Sequence, residues 1–368
     1  MKWYTIENIE NLDTPALVIY PDRVKRNIEL VKRFVADVKS LRPHVKTNKC
    51  AEVVDLMLEG GITKFKCATI AEAEMLAIQG AKDVLLAYQP VGPKARRFCD
   101  LLKKFPKTTF SCLIDNQKSL SQLSALAKEN GLVLRVMIDL NIGMNRTGIP
   151  PGAEALKLFM NAAETKGIDM VGLHAYDGHI RDSDMSARKQ KCDDAFRGVD
   201  ILREEILKTT GKNPIVVVGG TPTFPIHAKR ANVEASPGTF IFWDKGYESS
   251  LKEQPFEFAA LVVTRVISVP DDHTFCLDLG HKSIASENSL PNRVHILDAS
   301  GFEPVGHSEE HLVFRTPEKH AYKTGDVFYG VPHHICPTVA LYEEAAVCRD
   351  RKVADSWPIV ARKRKISI

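Results

Sequence analysis

Lys46 follows the apolar Val45 in RPHVK (42–46), where a buried run gives way to a loop. A lysine is costly to bury unless it is paired, neutralised or consumed by a reaction. A second stretch, VVVGGTPT (216–223), carries an apolar run into Gly219, Gly220, Thr221 and Thr223. Paired glycines let backbone N–H groups approach an anion, and the threonine hydroxyls add donors. Gly238 and Thr239, in EASPGTF, are placed to join that cradle. A phosphate grip with a lysine at another strand end suggests pyridoxal 5′-phosphate held as a Schiff base. The amine must be largely neutral to attack the aldehyde, and partial desolvation lowers its pKa to that end. In VPHHICPTV, His334 and Cys336 are two apart, so an extended segment puts both on one face. Imidazole with thiolate suits Zn²⁺ at an open site. His333, on the opposite face, reads as a rim residue.

These residues need strand ends to hold them. Apolar runs and helical patterns alternate from residue 14 to about 245. PALVIY (15–20), LRPHVKT, KFKCAT, DVLLAY, TTFSCLID, LVLRVMIDL, MVGLHAY and PIVVVGG read as strands, and helix-length segments separate most of them. One helix is expected at 153–165 and a long one at 183–209. The alternation predicts a (β/α)₈ TIM-type barrel, whose functional side chains project from strand C-terminal ends. Lys46 falls at such an end, as do Asn145, Arg146 and Thr147, and His174, Tyr176 and His179. From about 256, closely spaced strand-like runs predict an all-β domain. The expected boundaries are 12–248 for the barrel and 249–368, with 1–11, for the β domain.

Composition excludes other classes. The 368 residues are 44% hydrophobic and 26% charged, ordinary values for a globular protein. No apolar run approaches the roughly 18 residues of a membrane span, and the N-terminus lacks the apolar core of a leader. A net charge of +4, thinly spread, gives nucleic-acid binding no support. Only the tail ARKRKISI is a basic run, and it reads as a solvated terminus. Eight cysteines without a CxxC pair fit a reducing cytoplasm.

DTPALVIY, RPHVKTNK, IAEAEML, VGGTPT, PGTFIFWD and PHHICPTV together resemble the fold-type III pyridoxal-phosphate enzymes of the D-threonine aldolase and D-serine dehydratase group. The resemblance runs from about residue 12 to the late 340s. It implies an alanine-racemase-like barrel, a homodimer, a D-β-hydroxy-α-amino acid substrate, and a divalent ion (Zn²⁺, Mn²⁺ or Mg²⁺) beside the cofactor. Lys46 resembles the Schiff-base lysine, and Gly219, Gly220, Thr221, Gly238 and Thr239 the phosphate contacts. Tyr176 resembles the tyrosine beside the cofactor ring, Arg146 a polar partner, and His334 and Cys336 the metal pair. Asn48 departs from the usual K-T-H-K. The implied reaction is retro-aldol cleavage, with His179 as the hydroxyl-facing base and His174 second. Dehydration to a 2-oxo acid and ammonia is the alternative, and amino-acid racemisation, with Tyr247, Tyr322 or Tyr329 as second base, a further one.

Overall fold

A computed structural model describes residues 2–368. They form two compact units. The barrel unit holds Val31–Lys46, Met57–Gly238 and Lys363–Ile368; the β unit holds the residues up to Leu30, Thr47–Leu56 and Thr239–Arg362.

The first strand, β1 (Ala16–Ile19), lies in the β unit and not, as expected from PALVIY, in the barrel. A short run buried on both faces carries no label for the sheet it joins. The barrel unit contains β2 (Lys64–Cys67), β3 (Asp83–Leu86), β4 (Thr109–Ile114), β5 (Leu134–Leu140), β6 (Ile168–Ala175), β7 (Ile215–Val218) and β8 (Glu234–Ala235). All seven are parallel and adjacent in chain order. The expected strand LRPHVKT supplies only two parallel bridges, Leu41 to Ala235 of β8 and His44 to Lys66 of β2. It therefore joins the first and last strands of the sheet. Pro43 has no N–H to donate, which limits the ladder there. Leu85, Leu113, Met137 and Val217 pack together as an apolar cluster of this unit. The long helix runs Met185–Thr210; the Asp184 side chain accepts from Ala187 N at its start, and Gly211, at φ 68°, ends it.

Arg42, fully buried, forks onto Asp83 at 2.8 and 2.9 Å and reaches Glu234 at 2.5 Å. Both acids begin their strands, so this knot holds the strand N-terminal ends, opposite the end that carries Lys46. Removing one partner of a buried ion pair strands the others without compensation. Arg42→Ala should lower unfolding free energy by about 3–5 kcal/mol, read from urea denaturation.

The β unit adds β9 (Ala260–Asp271), β10 (Thr274–Leu277), β11 (Val294–Ile296), β12 (Glu303–His307), β13 (Leu312–Arg315), β14 (Val327–Pro332), β15 (Glu344–Arg349) and β16 (Lys352–Pro358). β1 pairs antiparallel with β9 and parallel with β15, and β14 pairs with β9 and β11. Phe275, Phe314 and Phe328 centre the core, with Tyr322 packed against them.

The basic tail is not simply solvated. Backbone N–H groups of Ser367 and Ile368 donate to Glu74, and Arg97 donates to the Ile368 and Arg364 carbonyls. Among the described residues, no helix is long and apolar enough to cross a membrane.

Candidate active site

In the barrel unit the predicted residues gather beyond strand C-terminal ends. Lys46 stands two residues past the His44 bridge. It is exposed, where a partly desolvated amine is expected, because the chain turns outward there, and its backbone N–H donates to His44 Nδ1 at 3.2 Å. Tyr176 follows β6, and the Arg146 guanidinium lies 5.0 Å from its ring centroid. Two glycines make room for that ring. A Cβ on Gly220 would sit 3.0 Å from Tyr176 Cε2, and one on Gly178 would collide with its hydroxyl. His179 is exposed, its ring packed against Gly143.

The cradle after β7 is built as a turn that only glycine fits. Gly219 has φ 77°, and a Cβ there would meet His227 Cδ2 at 2.8 Å. Gly238 N donates to Thr221 Oγ1 at 3.2 Å, tying the two predicted phosphate stretches together. Thr223 is a correction to the expected donor set: its hydroxyl donates to Asp177 at 2.7 Å. Asp177 also faces His227 Nε2 at 2.8 Å, and Cys192 Sγ lies 3.2 Å from the same nitrogen. The ligand atoms of Asp177, Cys192 and His227 all lie within 4.8 Å of one another, a set able to hold a divalent ion. All three are buried, and burial with the Asp177 charge pushes the Cys192 thiol up to about 12.

Under this rim the barrel interior is polar. His174 Nδ1 lies 2.7 Å from Asp139 Oδ1, and Gln89 donates to Asp139 at 2.8 Å. Burial lowers the His174 pKa against the pull of Asp139. Burial alone would raise Asp139, but the His174 bond and charge with the Thr147 and Gln89 bonds together hold it below the usual carboxylate range. His174 thus holds its proton on Nδ1, and its buried Nε2 has no hydrogen-bond partner among the described residues. Lys66 is also buried, with Nζ 3.5 Å from the Gly219 carbonyl and 5.6 Å from the Tyr176 ring centroid. Burial, then the Lys46 charge, lowers its pKa to about 7.

In the β unit, His334 occupies the N-cap position of the short helix Ile335–Leu341 without a side-chain cap bond, and Cys336 lies in the helix's first turn. The expected extended segment is therefore a helix start, and the turn, not strand alternation, brings the pair together. The His334 ring hydrogen-bonds the Cys336 sulfur and, through Nδ1, Glu287. Burial opposes charge on His334, yet Cys336 and Glu287 outweigh it and hold its pKa near 9. Thr47 Oγ1 lies 3.1 Å and Thr239 Oγ1 3.7 Å from Cys336 Sγ. Thr47 follows Lys46 in the chain, and Thr239 follows Gly238. Asp244 is buried and pushed up to about 6 by that burial, and its carboxylate accepts from Tyr247 N and Ile335 N. His333 takes part in backbone pairing, its N–H on Arg293 O and its carbonyl on Gly246 N. Asn48, where the resemblance expects histidine, is buried; its Oδ1 accepts from Cys50 N at the start of the helix Ala51–Glu59.

One unit thus brings together Lys46, Arg146, Tyr176, Gly219, Gly220, Thr221 and Gly238, and the other Thr239, His334 and Cys336. Sequence reading missed Lys66, Asp139, Asp177, His227 and Glu287. A charged residue inside a buried strand, as in KFKC or RVMID, is the one signal that marks the first two.

The residues fit a phosphorylated aldehyde: a glycine cradle, a ring platform with no side chain permitted against it, and an exposed amine at one strand end. Residues 19–245 match the alanine racemase N-terminal domain, and residues 259–348 match a putative serine dehydratase domain. A D-threonine aldolase of Arthrobacter sp. is 29% identical, over 96% of this chain and 94% of its own. A D-threo-3-hydroxyaspartate dehydratase of Delftia sp. (strain HT23) is 29% identical over 65% of this chain and 63% of its own. The crystal structure of D-threonine aldolase from Filomicrobium marinum superposes with a TM-score of 0.88 at 26% identity, covering 98% of each chain.

Proposed function

The chain belongs to the alanine racemase N-terminal domain family as a fold-type III pyridoxal 5′-phosphate lyase, and we propose that it cleaves D-β-hydroxy-α-amino acids. The favoured reaction is retro-aldol, giving glycine and an aldehyde. One observation carries this reading: Lys46, Tyr176 and the Gly219–Gly220 cradle stand at one end of a single parallel sheet. The near full-length likeness to D-threonine aldolases supports the substrate class.

When bound, the cofactor's conjugated ring draws electrons away from the substrate Cα, weakening whichever bond stands perpendicular to it. Lys46 is the amine that would hold the cofactor, and its Nζ could carry a proton. Gly219, Gly220, Thr221, Gly238 and Thr239 would line the phosphate, the glycines by leaving room for it, since their N–H groups already donate to Ala175 O, Thr223 Oγ1 and Thr221 Oγ1. Tyr176 would flank the ring, and Arg146 would supply a cation beside Tyr176. His179 takes the β-hydroxyl proton; its exposed ring on a loop beyond β6 supports that role. His174 stands second, because its Nε2 has no partner but is buried in the barrel.

His334 and Cys336 would hold a divalent ion (Zn²⁺, Mn²⁺ or Mg²⁺) that acts as a Lewis acid on the β-oxygen. They suit a catalytic site better than Asp177, Cys192 and His227 do. Catalytic metals keep an open position, and His334 is exposed with Cys336 half-buried, whereas the other three donors are closed in.

The dehydratase reading has its own support in the match of residues 259–348. There Lys46 would take the Cα proton and the hydroxyl would leave. Two of the racemase tyrosines have structural engagements, Tyr329 OH accepting from Ile6 N and Tyr322 packing on Phe275, which favours the lyase readings. A homodimer in a reducing cytoplasm completes the proposal, and the eight cysteines, none in a disulfide, are in keeping with that compartment.

D-Threonine offered with pyridoxal 5′-phosphate and divalent ion should yield acetaldehyde and glycine in equal amounts. Release of 2-oxobutyrate and ammonia instead would establish the dehydratase, and loss of chirality without either pair the racemase.

A further inference from the structure

Lys66 lies inside the barrel without the partner a buried lysine needs. It pairs in register with Leu85 of the apolar cluster, and neighbours in register point to the same face of a sheet. Only 2% of it is exposed, and among the described residues no carboxylate comes within ion-pair distance. Its single hydrogen bond is the long one to the Gly219 carbonyl. The groups that face it are Lys46, Arg42 and His174, and the carboxylates of Asp177 and Asp139. A second polar atom in the same interior, His174 Nε2, has no hydrogen-bond partner among the described residues. Buried polar groups in native proteins find partners, so an ammonium with one long hydrogen bond beside an unpartnered imidazole nitrogen marks a place where a polar ligand completes the set.

We propose that Lys66 is a second lysine of the cofactor pocket, its amine hydrogen-bonding the bound pyridoxal 5′-phosphate between the Gly219 carbonyl and the Tyr176 ring. The inference rests on the reading of the chain as a pyridoxal-phosphate enzyme. Its location supports it: Gly219 belongs to the phosphate cradle, Tyr176 to the ring platform, and Nζ neighbours both. Its cost supports it too. A lysine folded with a pKa near 7, against about 10.4 unfolded, gives up a proton on folding anywhere between those values. The unfolded chain then holds more protons, so stability climbs as pH rises through this window and the penalty is greatest below it. A methionine of similar length would fill the same space without that penalty, so the amine is retained at a loss that a ligand contact would offset.

The test is Lys66→Met, with Lys66→Gln as a second variant should the first misfold. Each is measured for equilibrium binding of pyridoxal 5′-phosphate, for the visible absorbance of the bound cofactor, and for urea stability between pH 6 and 9. Losing one hydrogen bond to the cofactor should weaken its binding about fivefold to tenfold. The visible band should shift, and stability at pH 6 should rise relative to wild type. Unchanged affinity and an unchanged band, with only the gain in stability, would overturn the proposal and leave Lys66 a buried amine without a role. Failure of the wild-type chain itself to bind the cofactor would instead overturn the reading beneath it.

Discussion

Lys46→Ala is expected to lower turnover of D-threonine by at least about 10³-fold and to remove the visible absorbance of lysine-linked cofactor. The magnitude follows from what the amine is asked to do. In the proposed role it would hold the cofactor covalently and exchange a proton with the substrate, and losing a group with two such duties costs several kcal/mol of transition-state stabilisation. The phosphate cradle does not depend on this side chain. Gly219 keeps its left-handed turn against His227, and Gly238 keeps its bond to Thr221. The variant should therefore still bind pyridoxal 5′-phosphate, more weakly and without the covalent signature. Lys46 is exposed at the strand end, so its truncation leaves no core cavity and the fold should persist. Retained visible absorbance in Lys46→Ala would assign the attachment elsewhere, and Lys66 would be the first residue to examine.

His334→Ala and Cys336→Ala should each abolish activation by divalent ion, lowering turnover by about 10²- to 10³-fold. A Lewis acid on the β-oxygen is worth several kcal/mol, and neither side chain alone would keep the ion. The scaffold tolerates the changes. His334 makes no side-chain cap to its helix, and Asp244, through Ile335 N, anchors the turn. Chelation of the wild-type protein should reproduce the loss, and added divalent ion should restore the wild type but neither variant. Full activity in excess chelator would remove the metal from the mechanism. Restoration of both variants by added ion would move the catalytic ion away from this pair.

How much of this was legible depended on whether the chemistry was local in the chain. The cradle was readable because Gly219, Gly220 and Thr221 are consecutive, and backbone approach to an anion needs that composition. Lys46 was readable because an amine directly after a buried valine demands a reason. The barrel was readable from alternation, but its membership was not. PALVIY joins β9 and β15, and a short two-faced apolar run looks the same in either sheet. Pro43 reduced an expected strand to two bridges through its missing N–H. The His334–Cys336 pair is legible by residue type but not in its geometry, because the extended His334 ends at a helix start that the short motif does not announce. Lys66, Asp139, Asp177 and His227 stayed hidden because they come from four separate segments that meet only in the folded unit. Thr223 failed as a phosphate donor for the same reason, its hydroxyl being taken by Asp177 from another loop.

Borohydride reduction of the protein loaded with pyridoxal 5′-phosphate, followed by peptide mass mapping, bears most directly on all of this. The pyridoxyl mass should appear on the peptide holding Lys46 and nowhere else at comparable yield. A label on any other residue, or no label at all, would contradict the account.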